Sequence, residues 1–163
     1  MIIKSVRGFK PMYGDDCFFA ENSVLIGDVI MGNNCSIWYS AVVRGDVNSI
    51  KIGDRVNIQD GAVIHGTYLK AKTEIGNDVS IGHNAIVHGC KIENSVLIGM
   101  GSIVMDNSII ESNSIVAAGS VVLENTHIKA GSIFAGVPAK KIKNISEELK
   151  NNEIDRIASS YIK

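Results

Sequence analysis

From Phe19 onward a large apolar residue returns at every sixth position: Phe19, Leu25, Met31, Ile37 and Val43. After a short slip the series resumes at Ile52, Ile58 and Ile64, and after an insertion at Ile75, Ile81 and Val87. One residue is then missing, and the pattern runs on through Ile92, Ile98, Val104, Ile110, Val116, Val122, Ile128 and Phe134. Two residues before each of these lies a second series of small or β-branched residues, among them Val29, Cys35, Ala41, Ala85, Ser102, Ser108, Ser114 and Ser120. Residues two apart on a strand point to the same side. Each hexapeptide therefore reads as a short strand with one large and one small inward side chain, followed by a turn. A period of six fits neither a helix nor a hairpin meander and predicts a β-solenoid.

The pattern resembles the hexapeptide-repeat proteins, whose fold is a left-handed parallel β-helix with three hexapeptides per triangular coil. The left hand is implied by that resemblance, since the general crossover rule gives the opposite one. The expected fold class is all-β solenoid, with about six coils in a prism about 30 Å long at the usual strand spacing. The repeats end near G136-V-P-A-K140, which gives a β-helix over residues 1–140 and a C-terminal helical segment over 141–163 that packs on it. In that segment Ser146 can cap a helix with Glu147 and Glu148 in its first turn, and Leu149, Ile154, Ile157 and Tyr161 lie near one stripe.

Composition adds mainly exclusions. The chain of 163 residues has 45% apolar residues, 20% charged and a formal net charge of -1. That is one domain with no global charge for nucleic acid, and the basic K140-K-I-K143 reads as solvated surface. Three cysteines, Cys17, Cys35 and Cys90, show no C-x-x-C spacing and read as reduced thiols in a cytoplasmic protein. The N-terminal stretch has no long apolar run, so neither a signal peptide nor a membrane span is expected.

The candidate chemistry lies in I81-G-H-N-A-I-V-H-G-C90. Rotating the hexapeptides around three sides puts Ile37, Ile58, Ile81 and Ile98 on side one, and Val43, Ile64, Val87 and Val104 on side two. The residue after each slot points outward, and on side two that column reads Arg44, His65, His88. Two imidazoles stacked one coil apart, about 5 Å, can share one metal ion. His83 falls at the corner between sides one and two. Five residues of extended chain separate it from His88, about 16 Å, whereas zinc ligands lie about 2.1 Å from their ion. A single chain cannot close such a site, so a neighbouring subunit must supply His83, and a threefold arrangement does this. Arg44 and Asp60 lie one coil below the histidines, which predicts an intersubunit ion pair there. Gln59, uncharged and outward, is placed to hydrogen-bond a metal-held water.

Together R44-G-D46, N57-I-Q-D60, His65 and H83-x-x-x-x-H88 resemble the γ-class carbonic anhydrases, over essentially the whole chain. The resemblance implies a homotrimer with Zn2+, or another divalent metal such as iron or cobalt, bound by His65 and His88 of one chain and His83 of the next. It implies reversible hydration of CO2 to bicarbonate by metal-bound hydroxide, with Gln59 orienting that hydroxide. Arg44, Asp46 and Asp60 would hold the interface, Asn57 matches a site residue, and Tyr161 resembles a tyrosine directed towards the site in shorter relatives.

The chain departs from the best-characterised γ-enzymes in one respect. Val47 follows Asp46 where they have an acidic residue, and the insertion G66-T-Y-L-K-A-K-T-E74 carries only Glu74, so no acidic proton shuttle is evident. Two other readings stay open. One is a metal-bearing trimer with weak or no hydration, acting on thioesters or in an assembly. The other is a hexapeptide acyltransferase, which would use one catalytic histidine and a long loop over coenzyme A. Of the remaining residues, His127 reads as surface, Trp38 and Tyr39 as subunit packing, Met100 as an apolar lid above His83, and Cys90 as core.

Overall fold

The computed structural model describes residues 1–161. Its strands are mostly two or three residues long and run parallel in ladders that make two hydrogen-bonded sheets of 12 and 8 strands. The result is a parallel β-solenoid of about seven coils. The hexapeptide count gives about six because the first coil carries no repeat. It is built from Ile2–Lys4, paired with Val24–Ile26, and Met12–Tyr13, paired with Ile30–Met31, with a turn between Val6 and Phe9 interrupting the pattern.

The apolar slots stack as the periodicity requires. On side one Ile37, Ile58, Ile81, Ile98 and Val116 are consecutive ladder partners. On side two the sequence is Val43, Ile64, Val87, Val104 and Val122. All of these are buried in one continuous core. The small inward series completes the corners: the Ser102 hydroxyl donates to the Gly99 carbonyl at 2.7 Å, and Ser108 to that of Met105 at 2.7 Å. Each such serine closes the turn that its own hexapeptide follows, so a larger residue there would lose the bond and crowd the core. Between sides one and two the chain turns through a left-handed residue, at Ser40, Gly61, Asn84, Gly101 and Gly119 in successive coils. Asn and Gly dominate that column because they tolerate positive φ at least cost.

The last strand, Lys140–Asn144, runs antiparallel along Ser132–Ala135, so residues 141–144 of the expected helical segment are extended. The helix begins at Glu147, and the Ser146 hydroxyl accepts from the Leu149 amide at 3.2 Å. Lys150–Asp155 then adopts a wider π turn before α-helix resumes over Arg156–Ser160. The widening has a sequence cause. Leu149 and Ile154 are five apart, a spacing that an α-helix splays and a π turn brings into line. Ile154 is thereby buried against Ile115 and Ile133 of the solenoid, with Leu149 and Leu97 beside it. The last two residues of the 141–163 segment lie outside the described residues. No helix among the described residues is long and apolar enough to cross a membrane.

Candidate metal centre

Ladder register decides which side chains meet. Val63–His65 pairs with Ile86–His88 so that His65 and His88 are direct partners, because the insertion after His65 adds its residues outside the ladder. Their rings lie 5.1 Å apart, with His65 Nδ1 and His88 Nε2 3.1 Å from each other. Each ring turns its other nitrogen to a carboxylate. His65 Nε2 is 3.0 Å from Asp46 Oδ1, and His88 Nδ1 is 2.6 Å from Asp106 Oδ1. His83, on its corner, has Nδ1 3.0 Å from Asp60 Oδ2.

Asp46 and Asp106 are held ionised. Burial works to raise the pKa of Asp46, but hydrogen bonds from His65 and Arg44 and the Arg44 charge outweigh it, and the net shift is downward. For Asp106 burial is likewise outweighed, by hydrogen bonds from Thr67 and His88. An ionised carboxylate can only accept. A neutral imidazole that donates to its aspartate presents its other nitrogen as an acceptor, and these two nitrogens, His65 Nδ1 and His88 Nε2, stand 3.1 Å apart.

Within the chain, Arg44 donates to Asp46 Oδ2 at 2.6 Å, and Asp60 is engaged by His83. Gln59 is buried, and its amide donates from Nε2 to Asn57 Oδ1 at 3.0 Å. Asn57 in turn donates from Nδ2 to the Ser80 hydroxyl at 2.7 Å. In this chain Asn57 gives its nitrogen to Ser80 and its oxygen to Gln59. Gln59 also lines the cavity beside His83, with Oε1 as its remaining acceptor.

A cavity of about 360 Å³ opens beside Gln59 and His83, between side one and the C-terminal helix, and is lined further by Leu97, Met100, Ile157 and Tyr161. The Tyr161 ring stands edge-on to Trp38 at 5.2 Å. Burial, and then the nearby Asp60 charge, push its phenol above the usual range. Trp38 thus packs within its own chain, against Tyr161 and Phe18, while its indole donates to the Ser36 hydroxyl. Met100 follows His83 by one coil and is largely exposed at the cavity mouth. Glu74 faces side three, paired with Lys72 at 2.6 Å. Cys90 lies in the core, where burial pushes its thiol up to about 12, so it supplies no thiolate.

Asp106 escaped the sequence reading. It lies 18 residues beyond His88, one coil on. The signal was one position over: the outward column was read at the residue after each slot, whereas Asp106 stands two after Val104. Among the described residues of one chain, no three His, Cys, Asp or Glu side chains are grouped to hold an ion.

His127 forms part of a surface cluster, 2.6 Å from Glu111, which also pairs with Lys129 at 3.2 Å. Hydrogen bonds from the Ala130 amide and from Lys129, with a smaller one from His127, lower the Glu111 pKa to about 2. Because the folded value lies below the ordinary 4.5, its stabilising effect is complete above that pH and is lost as pH falls from 4.5 towards 2. In urea titrations across that window, wild type should lose more stability than Glu111→Gln, and two parallel curves would refute the effect.

A family model described as bacterial transferase hexapeptide (six repeats) matches residues 89–124. Gamma carbonic anhydrase 2, mitochondrial, of Arabidopsis thaliana is 41% identical over 158 residues, 94% of this chain and 56% of that protein. A carbonic anhydrase of Geobacillus kaustophilus is 37% identical over 161 residues, covering 99% of this chain and 87% of the other. Among solved structures, a hexapeptide transferase family protein from Anaplasma phagocytophilum superposes with a TM-score of 0.90 at 38% identity, covering 99% and 94% of the two chains. The chain spans only 56% and 63% of the length of two of the curated relatives it matches. The similarity to the Geobacillus protein extends over nearly all of both chains, and on it the chain belongs to the γ-class carbonic anhydrase-like family of hexapeptide-repeat proteins.

Proposed function

We propose that the chain forms a homotrimer that holds a divalent metal, zinc in the first instance, between subunits, and that it hydrates CO2 reversibly to bicarbonate. His65 and His88 of one subunit and His83 of the partner subunit would hold the ion. One observation carries this reading: His65 Nδ1 and His88 Nε2 stand 3.1 Å apart, on rings whose other nitrogens each face an aspartate. With both rings neutral and donating to their aspartates, the two acceptors repel unless a cation lies between them. Two nitrogens bound tetrahedrally to one zinc are separated by about 3.4 Å, so the pair needs almost no adjustment. His83, with Nδ1 turned to Asp60, keeps Nε2 free in the same way.

Association is supported by side two itself. Its outward positions beside the histidine column are Val42, Val63, Ile86, Ile103 and Val121, an apolar strip of the kind that marks subunit contacts. A divalent ion held there supplies acidification of water, and so hydroxide at neutral pH. The chain's own groups do the rest. Asp46, Asp60 and Asp106 would fix the three rings, Gln59 Oε1 would accept a hydrogen bond from the O–H of the attacking oxygen and so set its direction, and the apolar side chains of the cavity wall would limit competing water.

Cavity size favours a second reading. About 360 Å³ is far more than CO2 fills, and it has room for an acyl chain of a thioester. Stopped-flow hydration on zinc-loaded trimer, over alkaline pH and with added buffer as proton acceptor, separates the two. A buffer-dependent rate well above background is expected. No rate above background, with thioester hydrolysis in its place, would overturn the first reading.

A further inference from the structure

We propose that Asp106 is the positioning residue for His88, and that the 66–74 insertion braces it through Thr67. This rests on the reading of His88 as a metal ligand. Both oxygens of the Asp106 carboxylate are taken. Oδ1 accepts from His88 Nδ1 at 2.6 Å, and Oδ2 accepts from the Thr67 hydroxyl. Its side chain is only 8% exposed, so water does not compete for either bond. The carboxylate reaches His88 by crossing over Gly89, which has a φ of +57°. A Cβ there would stand 2.3 Å from Asp106 Oδ1, so any other residue at position 89 would displace the group that holds its neighbour.

The insertion is tied down on both sides of this contact. Thr67 exchanges backbone hydrogen bonds with Ala71 at 2.9 and 3.1 Å, and its carbonyl accepts from Asn48 Nδ2 at 3.1 Å. At the far end, Thr73 donates its hydroxyl to the His65 carbonyl and accepts from the Gly89 amide at 2.9 Å. One end of the loop therefore fixes the side chain behind His88. The other end bridges the backbones of the two histidine strands. A segment that looks like an interruption of the repeat holds the two ligands in mutual register.

The hydroxyl of Thr67 also sets what a substitution does. In Asp106→Asn the amide oxygen goes to the Thr67 O–H, and the amide N–H then faces His88 Nδ1. That turns the ring to its Nε2–H tautomer and blocks the nitrogen aimed at His65. Loss of a carboxylate behind a metal-held histidine lowers metal affinity by about 10- to 100-fold.

The test uses full-length trimer in two measurements. Competition with a chromophoric chelator gives zinc affinity for wild type, Asp106→Asn, Thr67→Val and Thr67→Ser. On the metal-free proteins, 15N shifts give the tautomer of His88. Expected are an affinity loss of about 10-fold or more for Asp106→Asn, a smaller loss for Thr67→Val, recovery in Thr67→Ser, and a switch of His88 from Nδ1–H to Nε2–H in Asp106→Asn. An unchanged tautomer overturns the inference whether or not zinc binds. So does wild-type affinity in a folded, trimeric Asp106→Asn. A wild-type protein that takes up no zinc, with the tautomer switch intact, would instead sink the metal reading and leave Asp106 as the orienting group.

Discussion

His83→Ala should abolish stoichiometric zinc binding although His65 and His88 remain untouched, 3.1 Å apart in their own chain. The reason is topological. His83 sits on the corner before the left-handed Asn84, and the strand Ile86–His88 carries the chain across side two before His88 is reached. One chain cannot fold the first imidazole back onto the second. A mixing experiment sharpens this expectation. Subunits with His83→Ala retain the paired histidines, and subunits with His65→Ala plus His88→Ala retain the corner one. Each parent trimer should be metal-free. Any mixed trimer, in either ratio, has one junction at which an intact pair meets an intact corner. Co-refolding the two should therefore restore one ion per mixed trimer, as read by metal analysis after separation. Failure of every mixture to regain metal, with trimers formed, would exclude a site shared across subunits.

Ile81→Ala should give the largest loss of stability. Ile81 is fully buried on side one, stacked between Ile58 and Ile98. The backbone on either side leaves no room to close the space: Gly82 packs so tightly that an added Cβ would come within 2.7 Å of the Met100 amide nitrogen. A cavity that cannot collapse costs about 2–5 kcal/mol for Ile→Ala, or roughly 10 °C in Tm for a chain of this size. Leu69→Ala, at 82% exposure in the insertion, is the matched control and should change stability by less than about 0.5 kcal/mol. Equal midpoints for the two variants, at one protein concentration, would contradict the stacking account.

The solenoid was legible because its physics is local and repetitive. An inward Ile such as Ile58 needs only its neighbours Ile37 and Ile81, and each coil repeats that demand, so the period survives slips and insertions. The same counting aligned His65 with His88 and placed Met100 after His83. It missed the first coil, where residues 2–13 close a turn without the six-residue rhythm. It also missed the π turn at Lys150–Asp155, although the five-residue step from Leu149 to Ile154 was in view. The roles of Asp46 and Asp60 were only half visible. Their columns were apparent, but whether a carboxylate turns to a histidine of its own chain or to an arginine depends on rotamers that periodicity does not encode. Asp106 and Thr67 were invisible for a related reason: they meet across 39 residues, through a loop that the period skips.

The closing strand, Lys140–Asn144, doubles back along the last rung. Parallel ladders end in rows of unspent amides and carbonyls, which invite a second molecule to dock on top and continue the stack. Here a reversed strand consumes that row on side one, and the new rim it presents there carries Lys140, Lys141 and Lys143, all exposed. Two such cationic rims repel each other, so a rim-to-rim contact that would join two copies end on end at this edge is disfavoured.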